Sequence, residues 1–280
     1  MVRIIVDSTA DLRQEIKDRF EVVPLTVHFG PQEYLDGIDI DKSRFYEMLV
    51  ESDVLPSTSQ PNPDDFQKVY EKVTQAGDSA VVITISSSLS GTCQSALIAA
   101  EDHPKSIYVV DSRSAAIGSG ILAEYALQLA DQGLSACEIA KRLNEEKENI
   151  CLVALVDTLE YLKRGGRVSK TMAFAGGVLN IKPVIGIENG EIAMLGKARG
   201  SKQGNNLLME QIEKAGGVDF TKPILLGYTG ISDALLQKYI VDSEHIWKGN
   251  TDKLSVCQIG SVIGTHAGPG AVAVAFFKRA

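Results

Sequence analysis

Hydroxyl side chains recur at the ends of short apolar runs, and they are the residues of this chain best suited to holding an anion. They lie in four segments, which are DST (7–9), TSQP (58–61), SSSLSGT (86–92) and DSRS (111–114). A hydroxyl can donate a hydrogen bond to a carboxylate or phosphate, and it can also cap a helix by accepting from a free backbone N–H. Helix N-termini add a partial positive charge that favours an anion. Capping explains each segment singly, whereas their recurrence favours a ligand site, so both interpretations stay open.

The TSQP segment belongs to a longer stretch, LPSTSQPNP (55–63), that carries no charge. Proline, serine and asparagine are typical of turns, so this stretch is predicted to be a loop. Its composition fits both a solvated surface loop and a loop that binds a ligand.

The elements that must position these segments follow one pattern in the first half of the chain. Runs rich in Val and Ile, at 3–7, 80–85 and 107–111, are each followed by polar residues and then by a helical pattern. Runs without alternation are typical of strands buried on both faces, and the helices between them predict a parallel sheet. Ligands of such sheets bind beyond the carboxyl ends of the strands, which is where hydroxyl segments lie.

The second half of the chain has a different pattern. Residues 157–166 predict a helix stopped by glycine, and residues 182–199 predict a hairpin that turns at Asn189-Gly190. The run AVAVAFF (271–277) predicts a final strand. We therefore expect an α/β protein of two domains. Residues 1–155 would form a parallel-sheet α/β/α domain, and residues 156–280 a smaller mixed α/β domain.

Composition argues against several classes of protein. Asp and Glu total 36 against 28 Lys and Arg, and the net charge of −8 disfavours binding to nucleic acid or to an anionic membrane. No run approaches the roughly 18 apolar residues that a membrane span needs, so no stable membrane insertion is predicted. The first residues lack a signal-peptide pattern, and the four cysteines are far apart, as expected of reduced, packed thiols. These features predict a cytoplasmic protein.

Familiar catalytic and cofactor motifs are missing from the sequence. It contains no G-x-S-x-G elbow, no G-x-x-x-x-G-K-[ST] loop, no G-x-G-x-x-G after a strand and no H-E-x-x-H pair. The acidic stretch DGIDID (36–41) lacks the spacing of a calcium loop and is expected to be a turn before a helix. We therefore predict neither a cofactor nor a metal site.

Two other side chains are candidates for a binding site. His266 lies in IGTHAGPG, a segment expected to form a glycine-rich loop in which the backbone can approach a ligand closely. Arg167 follows two glycines at the end of the predicted helix, where it could pair with an anion or complement the helix dipole. The other histidines, His28, His103 and His245, are expected to be structural or solvated.

The order and spacing of the motifs along nearly the whole chain resemble the DegV family. The matching segments are VDSTADL (6–12), TSQP (58–61), SSSLSGT (86–92), VDS (110–112), LKRGGRVS (162–169), LNIKPV (179–184) and IGTHAGPGA (263–271). The resemblance implies two α/β domains with a fatty acid in a buried tunnel between them. It also implies that the carboxylate is held by Thr58 and Ser87, with Arg167 and His266 near the head group. Some family members are the acyl-binding subunit, FakB, of a bacterial fatty acid kinase, whose separate subunit phosphorylates the bound carboxylate.

The predicted function is therefore binding of a long-chain fatty acid, without catalysis by this chain alone, and presentation of that acid to a kinase subunit. One alternative is a hydrolase or acyltransferase that uses Ser87 or Ser90 as nucleophile and His266 as base. Another is a binding protein for a different amphiphile, such as an isoprenoid or retinoid acid. Segments 117–127 and 171–181 are candidates for the tunnel wall, although ordinary core packing explains both.

Overall fold

The computed structural model describes residues 1–168 and 181–279. The strands in this part of the chain are β1 (Val2–Asp7), β2 (Phe20–Val23), β3 (Thr26–Phe29), β4 (Gln32–Leu35), β5 (Ser57–Ser59), β6 (Ser79–Thr84), β7 (Ile107–Asp111), β8 (Ile150–Leu155), β9 (Ile181–Glu188), β10 (Glu191–Arg199), β11 (Leu225–Tyr228), β12 (Val256–Gln258) and β13 (Val272–Phe277). The α-helices are α1 (Lys42–Glu51), α2 (Pro63–Gln75), α3 (Thr92–Ala100), α4 (Ala116–Asp131), α5 (Ala136–Glu146), α6 (Glu160–Arg164), α7 (Gly200–Lys214), α8 (Ala234–Asp242), α9 (Glu244–Trp247) and α10 (Ser261–Ala267).

The predicted parallel sheet is confirmed, with the strand order β2-β1-β6-β7. Its apolar strands are buried between helices α4 and α5 on one face and helices α2 and α3 on the other. The predicted helix after β1 is instead a short 3-10 helix, Gln14–Arg19. No side chain of this segment is fully buried, so it lacks the apolar stripe that supports an α-helix against a core.

A second, mixed sheet has the strand order β10-β9-β8-β13-β11-β12. Helices α7 and α8 pack on one of its faces, and α4 packs on the other, so α4 lies between the two sheets. Strand β8 is central in this sheet, paired with β13 and β9, and the sheets therefore divide the chain before Ile150. The expected division after residue 155 falls at the far end of that strand.

The predicted hairpin is confirmed as β9 and β10, paired antiparallel. Its two turn residues both have positive φ, 53° for Asn189 and 83° for Gly190. Asparagine and glycine are the residues that adopt this conformation most readily, which is why this dipeptide is a strong hairpin signal.

A small third sheet, β4-β3-β5, corrects the prediction of a loop over residues 55–63. Ser57–Ser59 pairs antiparallel with β3, and the alternation of a strand exposes Ser57 and Ser59 while Thr58 is half-buried. The segment has strand geometry because β3 offers it a free edge.

Helix α10 corrects a second prediction, because His266 lies in this helix and not in a glycine-rich loop. The helix packs against α1, where a Cβ on Gly264 would lie 2.6 Å from Tyr46 Oη and 2.7 Å from Phe45 Cε1. A glycine is required for this close contact. Within the described residues, no helix is both long and apolar enough to cross a membrane.

Candidate functional site

A deep cavity lies between the two sheets, and most of its wall is apolar. The space there that no atom fills, open solvent included, is about 910 Å³. One wall is the face of the mixed sheet that points toward α4. It is formed by Leu152 and Ala154 of β8, Val156 just after β8, Ile185 and Ile187 of β9, Ala271 just before β13, and Ala273 of β13. The opposite wall includes Ile85, Leu89, Ala115 and Ala116 of the N-terminal half and Val262 and Ile263 of α10.

Within residues 1–168 and 181–279, five polar side chains line the cavity: Thr58, Ser90, Arg167, Thr229 and His266. Thr229 Oγ1, just after β11, accepts a hydrogen bond from the backbone N–H of Ala271 and keeps its own proton to donate. We take the other four as the candidate head-group site, because His266 bonds to Thr58 and Arg167 bonds to the carbonyl of Leu89, the residue before Ser90. The four come from four separate places in the chain, namely β5, the loop before α3, the residues after α6, and α10. The structure therefore brings three of the predicted site residues, Thr58, Arg167 and His266, to one cavity.

Thr58 and His266 form a direct hydrogen bond, with Thr58 Oγ1 2.9 Å from His266 Nε2. If Nε2 carries the imidazole proton, it donates to Thr58, whose own hydroxyl proton is then free for a ligand oxygen. If Nδ1 carries the proton, Thr58 donates to the histidine instead. A bound carboxylate would favour the first tautomer, because only that tautomer leaves Thr58 as a donor.

His266 is held in the neutral state. Burial, together with the nearby positive charge of Arg167, lowers the pKa of His266 to about 4. The ring lies so close to Gly165 that a Cβ there would collide with Nδ1. The histidine is therefore a neutral hydrogen-bonding group at neutral pH and carries no positive charge to the cavity.

Arg167 lines the cavity and is fixed by two backbone carbonyls from separate segments of the chain. Its Nε donates to Leu89 O at 3.2 Å, and its Nη1 donates to Gly165 O at 2.6 Å. A guanidinium has five N–H groups, so donors remain for an anion. The arginine also connects the loop before α3 to the end of α6.

Ser87 is not at the cavity, although the sequence predicts it there. It is exposed, and its Oγ donates to Asp111 Oδ2 at 2.5 Å. The loop turns through the hydrogen bonds that Leu89 N and Ser90 N donate to Ser86 O. This turn directs Ser87 toward the end of β7 and places Ser90 on the cavity wall. Because the segment SSSLSGT contains four serines, its composition alone could not indicate which of them lines the cavity.

The TSQP segment and the loop before α3 fit together at Gly91. A Cβ on Gly91 would collide with the side-chain amide of Gln60. Gln60 Nε2 also donates to Ser95 Oγ of α3 at 3.2 Å. This contact keeps Thr58 and Ser90 on the same side of the cavity, next to the N-terminus of α3, whose partial positive charge favours an anion.

The other two hydroxyl segments serve mainly to hold the backbone. Asp7 accepts from the backbone N–H groups of Thr9 and Ile85, and Asp111 accepts from those of Ser87 and Arg113. In these segments the capping interpretation is the one that the hydrogen bonds support.

The two predicted wall segments have different outcomes. Residues 117–127 lie in α4, where most of them are buried in the core and none lines the cavity. Residues 171–180 lie outside the described part of the chain, and Ile181 begins β9.

Neither a metal site nor a serine–histidine pair is present among residues 1–168 and 181–279. No three His, Cys, Asp or Glu side chains in that part of the chain could together hold a metal ion. Ser87 is bonded to Asp111, and Ser90 Oγ lies 2.8 Å from Thr92 Oγ1, whereas His266 Nε2 is bonded to Thr58.

Comparison with known proteins gives a consistent result over the full length of the chain. A family model described as "Uncharacterised protein, DegV family" matches residues 1–279. A DegV domain-containing protein from Caldanaerobacter subterraneus is 34% identical, and the match covers 99% of each chain.

Solved structures show the same similarity. A DegV family protein from Thermus thermophilus that binds fatty acid has a TM-score of 0.88 and 30% identity, with 99% of each chain covered. The Fatty Acid Kinase (Fak) B3 protein from Streptococcus pneumoniae, solved with linoleic acid, has a TM-score of 0.87 and 27% identity, with 100% of each chain covered. The chain described here belongs to the DegV family.

Proposed function

We propose that this protein binds a long-chain fatty acid, with its hydrocarbon tail in the apolar cavity and its carboxylate at Thr58, Ser90, Arg167 and His266. The observation that carries the proposal is the uneven distribution of polarity. Thr58, Ser90, Arg167 and His266 lie close together, and the rest of the described wall is apolar except for Thr229. This is the pattern expected for a ligand that is apolar along most of its length and polar at one end.

The tail supplies most of the affinity in this proposal. Burial of each CH₂ group contributes roughly 0.8 kcal/mol, so a chain of palmitate length gains a large favourable free energy without any ion pair. The walls also need no polar partner for such a tail, because a hydrocarbon has no hydrogen bond to satisfy.

The head group is held by hydroxyl donors with moderate strength. Thr58 donates to one carboxylate oxygen while it accepts from His266, and Ser90 donates from the loop before α3. Arg167 adds a positive charge at the cavity wall. Two hydroxyls hold a carboxylate without the high desolvation cost of a fully buried ion pair. Moderate binding would also allow release of the head group after it is modified.

Ser90, rather than Ser87, is the second hydroxyl in this proposal. The sequence resemblance points to Ser87, but its hydroxyl is exposed and donates to Asp111, whereas Ser90 lines the cavity. The two serines provide a matched pair of variants, because they are three residues apart in the same loop.

A kinase subunit is the partner that we propose. Its support is the similarity to the Fak B3 protein of Streptococcus pneumoniae. The protein would present the carboxylate and the kinase subunit would supply ATP, so this chain would have no catalytic activity alone.

Titration of palmitate into the wild-type protein and into Thr58→Val, Ser90→Ala and Ser87→Ala tests the assignment. We expect Thr58→Val and Ser90→Ala each to lose about 1.5–3 kcal/mol of binding free energy, since each removes a hydrogen bond to a charged group. We expect Ser87→Ala to bind as the wild type does. Loss of binding in Ser87→Ala, with Ser90→Ala unchanged, would reverse the assignment.

Two further experiments distinguish this proposal from a serine enzyme and from a protein that binds another amphiphile. Stable labelling of Ser87 or Ser90 by a fluorophosphonate, abolished in His266→Ala, would identify a serine enzyme. Binding of a retinoid or isoprenoid acid in preference to palmitate would identify another amphiphile as the ligand.

A further inference from the structure

Three consecutive residues that precede α10 are held by three side chains from the N-terminal half of the chain. Lys42 Nζ donates to Gln258 O at 2.5 Å, Tyr46 Oη donates to Ile259 O at 3.0 Å, and Asp11 Oδ1 accepts from Gly260 N at 2.8 Å. Lys42 also contacts Asp11, with Nζ 2.9 Å from Oδ1. We name this set of contacts the 258–260 clamp.

The clamp is built from segments that the proposed binding site does not use. Asp11 comes from the segment VDSTADL after β1, and Lys42 and Tyr46 lie one turn apart on the same face of α1. Asp11 and Tyr46 are buried, with 2% and 0% of their surfaces exposed. Oδ2 of Asp11 has no hydrogen-bond partner, but Oδ1 accepts from both Lys42 and Gly260, and losing either contact would leave a buried polar group unsatisfied.

The clamp determines where α10 begins. Gly260 is the residue before the helix, and its carbonyl accepts the first helical hydrogen bond, from Gly264 N at 2.8 Å. His266 follows six residues later, about 9 Å along the helix at a rise of 1.5 Å per residue. A short helix that is fixed at its first turn has little freedom at its last turn, where His266 meets Thr58.

We propose that Asp11, Lys42 and Tyr46 are positioning residues for the carboxylate site, which they stabilise by fixing α10 so that His266 stays in hydrogen-bonding contact with Thr58. The proposal rests on the proposed fatty acid function for its consequence in binding. Its structural part, the placement of the His266 ring, does not depend on any ligand.

A fourth side chain, Asp36, makes the clamp sensitive to pH. A methyl group placed on Gly260 would lie 3.4 Å from Asp11 Oδ1, 3.8 Å from Lys42 Cε and 3.9 Å from Asp36 Oδ2, so these three side chains meet above one residue. An ionised Asp36 would place a second negative charge near Asp11, and both would attract the single ammonium of Lys42, which contacts Asp11 directly. A protonated Asp36 does not compete, and it leaves Lys42 to Asp11 and Gln258.

The surroundings of Asp36 shift its pKa to a pH at which binding can be measured on the folded protein. The pKa of Asp36 is raised to about 6, mainly by burial and also by the charge of Asp11, against the opposing effects of the Ser8 and Ser261 hydroxyls and of Lys42. The titratable groups around this cluster are Asp11, Lys17, Lys42, Tyr46 and Cys257. Because an ionised Asp36 repels Asp11 and attracts Lys42, we expect the clamp to be tighter when Asp36 is protonated, below about pH 6, and looser above it.

The first test compares Lys42→Met, Lys42→Arg and a control, Lys222→Met. Lys222 forms another ion pair between the two halves of the chain, with its Nζ 2.7 Å from Glu146 Oε2, but it contacts neither α10 nor the cavity. We expect Lys42→Met to bind palmitate about fivefold more weakly or worse, the lower end of typical coupling between sites. We expect Lys42→Arg to recover most of that loss and Lys222→Met to show none. Equal losses in Lys42→Met and Lys222→Met would overturn the proposal, since they would indicate general loosening between the halves.

The second test follows the His266 ring by NMR in the ligand-free protein. We expect its ring nitrogen and carbon resonances to shift in Lys42→Met and to stay near their wild-type positions in Lys222→Met. An unshifted ring in a folded Lys42→Met would contradict the positioning role even if palmitate does not bind to the wild type. Failure of the proposed function and failure of this inference are thus separate results.

The third test uses Asp36→Asn, whose amide has the shape of the protonated carboxyl. This test can be carried out even if Lys42→Met does not fold. We expect the palmitate affinity of the wild type to fall relative to that of Asp36→Asn by about fivefold as the pH rises through about 6. Ionisation of palmitate itself affects both proteins equally and cancels in the ratio. A constant ratio across this pH range would overturn the role of Asp36.

Discussion

The two sides of the cavity are held in place in different ways. The apolar wall on β8, β9 and β13 belongs to one sheet, whose strands are fixed by many backbone hydrogen bonds. The polar side chains come from four distant segments and are joined by a few individual contacts, such as Thr58 to His266 and Arg167 to Leu89 O. The wall should therefore tolerate single substitutions, whereas the polar end should be sensitive to each of them.

The largest effect is expected from removal of both hydroxyls at the polar end. In the double variant Thr58→Val, Ser90→Ala, two hydrogen bonds to a charged group are lost, and palmitate binding should weaken by about 3–6 kcal/mol. Isothermal titration measures this directly, and an unchanged melting temperature would show that the fold is intact. Binding within about 1 kcal/mol of wild type would mean that the hydroxyls do not hold the carboxylate.

A smaller effect is expected from the titration of His266. Its pKa is about 4 in the folded protein because of burial, while an unfolded chain has the ordinary value of about 6.5. The unfolded state therefore binds more protons between these values. The stability that the neutral ring contributes is full above about pH 6.5 and is lost as the pH falls toward 4.

Denaturant unfolding of His266→Gln against wild type measures this contribution. Between pH 7 and 4, the free energy of unfolding of the wild type should fall by about 2 kcal/mol more than that of the variant. This is less than the full pKa difference would give, because the side chain is only half-buried and solvent screens it in part. Asp36 changes stability in the opposite direction as the pH falls, but it is present in both proteins and does not affect their difference. Parallel pH profiles would contradict the neutral, buried state of His266.

The apolar wall should show a still smaller effect. Ile185→Val removes one methylene from the cavity wall, and the lost contact with the tail should cost roughly 0.8 kcal/mol of palmitate binding or less. Competition with a fluorescent fatty acid is sensitive enough to measure such a change. A loss as large as that of Thr58→Val would mean that the sheet wall is as critical as the polar end, which would remove the contrast between them.

The smallest effect is expected from Ser87→Ala. Its hydrogen bond with Asp111 is exposed, so palmitate affinity should not change and the free energy of unfolding should fall by about 1 kcal/mol at most. The measurement pairs titration with denaturant unfolding. A clear loss of affinity would show that Ser87 moves to the head group on binding, as the resemblance to the family implies.

The sequence predicted the elements whose signals are local. The Val/Ile runs identified the parallel sheet, and Asn189-Gly190 identified the hairpin, because strand burial and turn geometry depend on adjacent residues. Three predicted site residues, Thr58, Arg167 and His266, do line one cavity.

The features that the sequence did not predict depend on contacts between distant segments. Residues 57–59 form a strand only because β3 lies beside them, and His266 lies in a helix whose start is held by Asp11 and Lys42. Whether Ser87 or Ser90 faces the cavity depends on the geometry of one turn. The sequence of a serine-rich loop does not indicate that geometry. The acidic stretch after β4 looked like a simple turn, yet its Asp36 is buried beside Asp11.

Native mass spectrometry of the purified protein, followed by solvent extraction of what it releases, tests the central claim most directly. We predict a bound fatty acid at about one per chain, or uptake of added palmitate or oleate to that level by protein purified without ligand. Thr58→Val, Ser90→Ala prepared in parallel should retain much less. A wild-type protein that carries no fatty acid and takes up neither palmitate nor oleate would contradict the assignment of this cavity to an acyl chain.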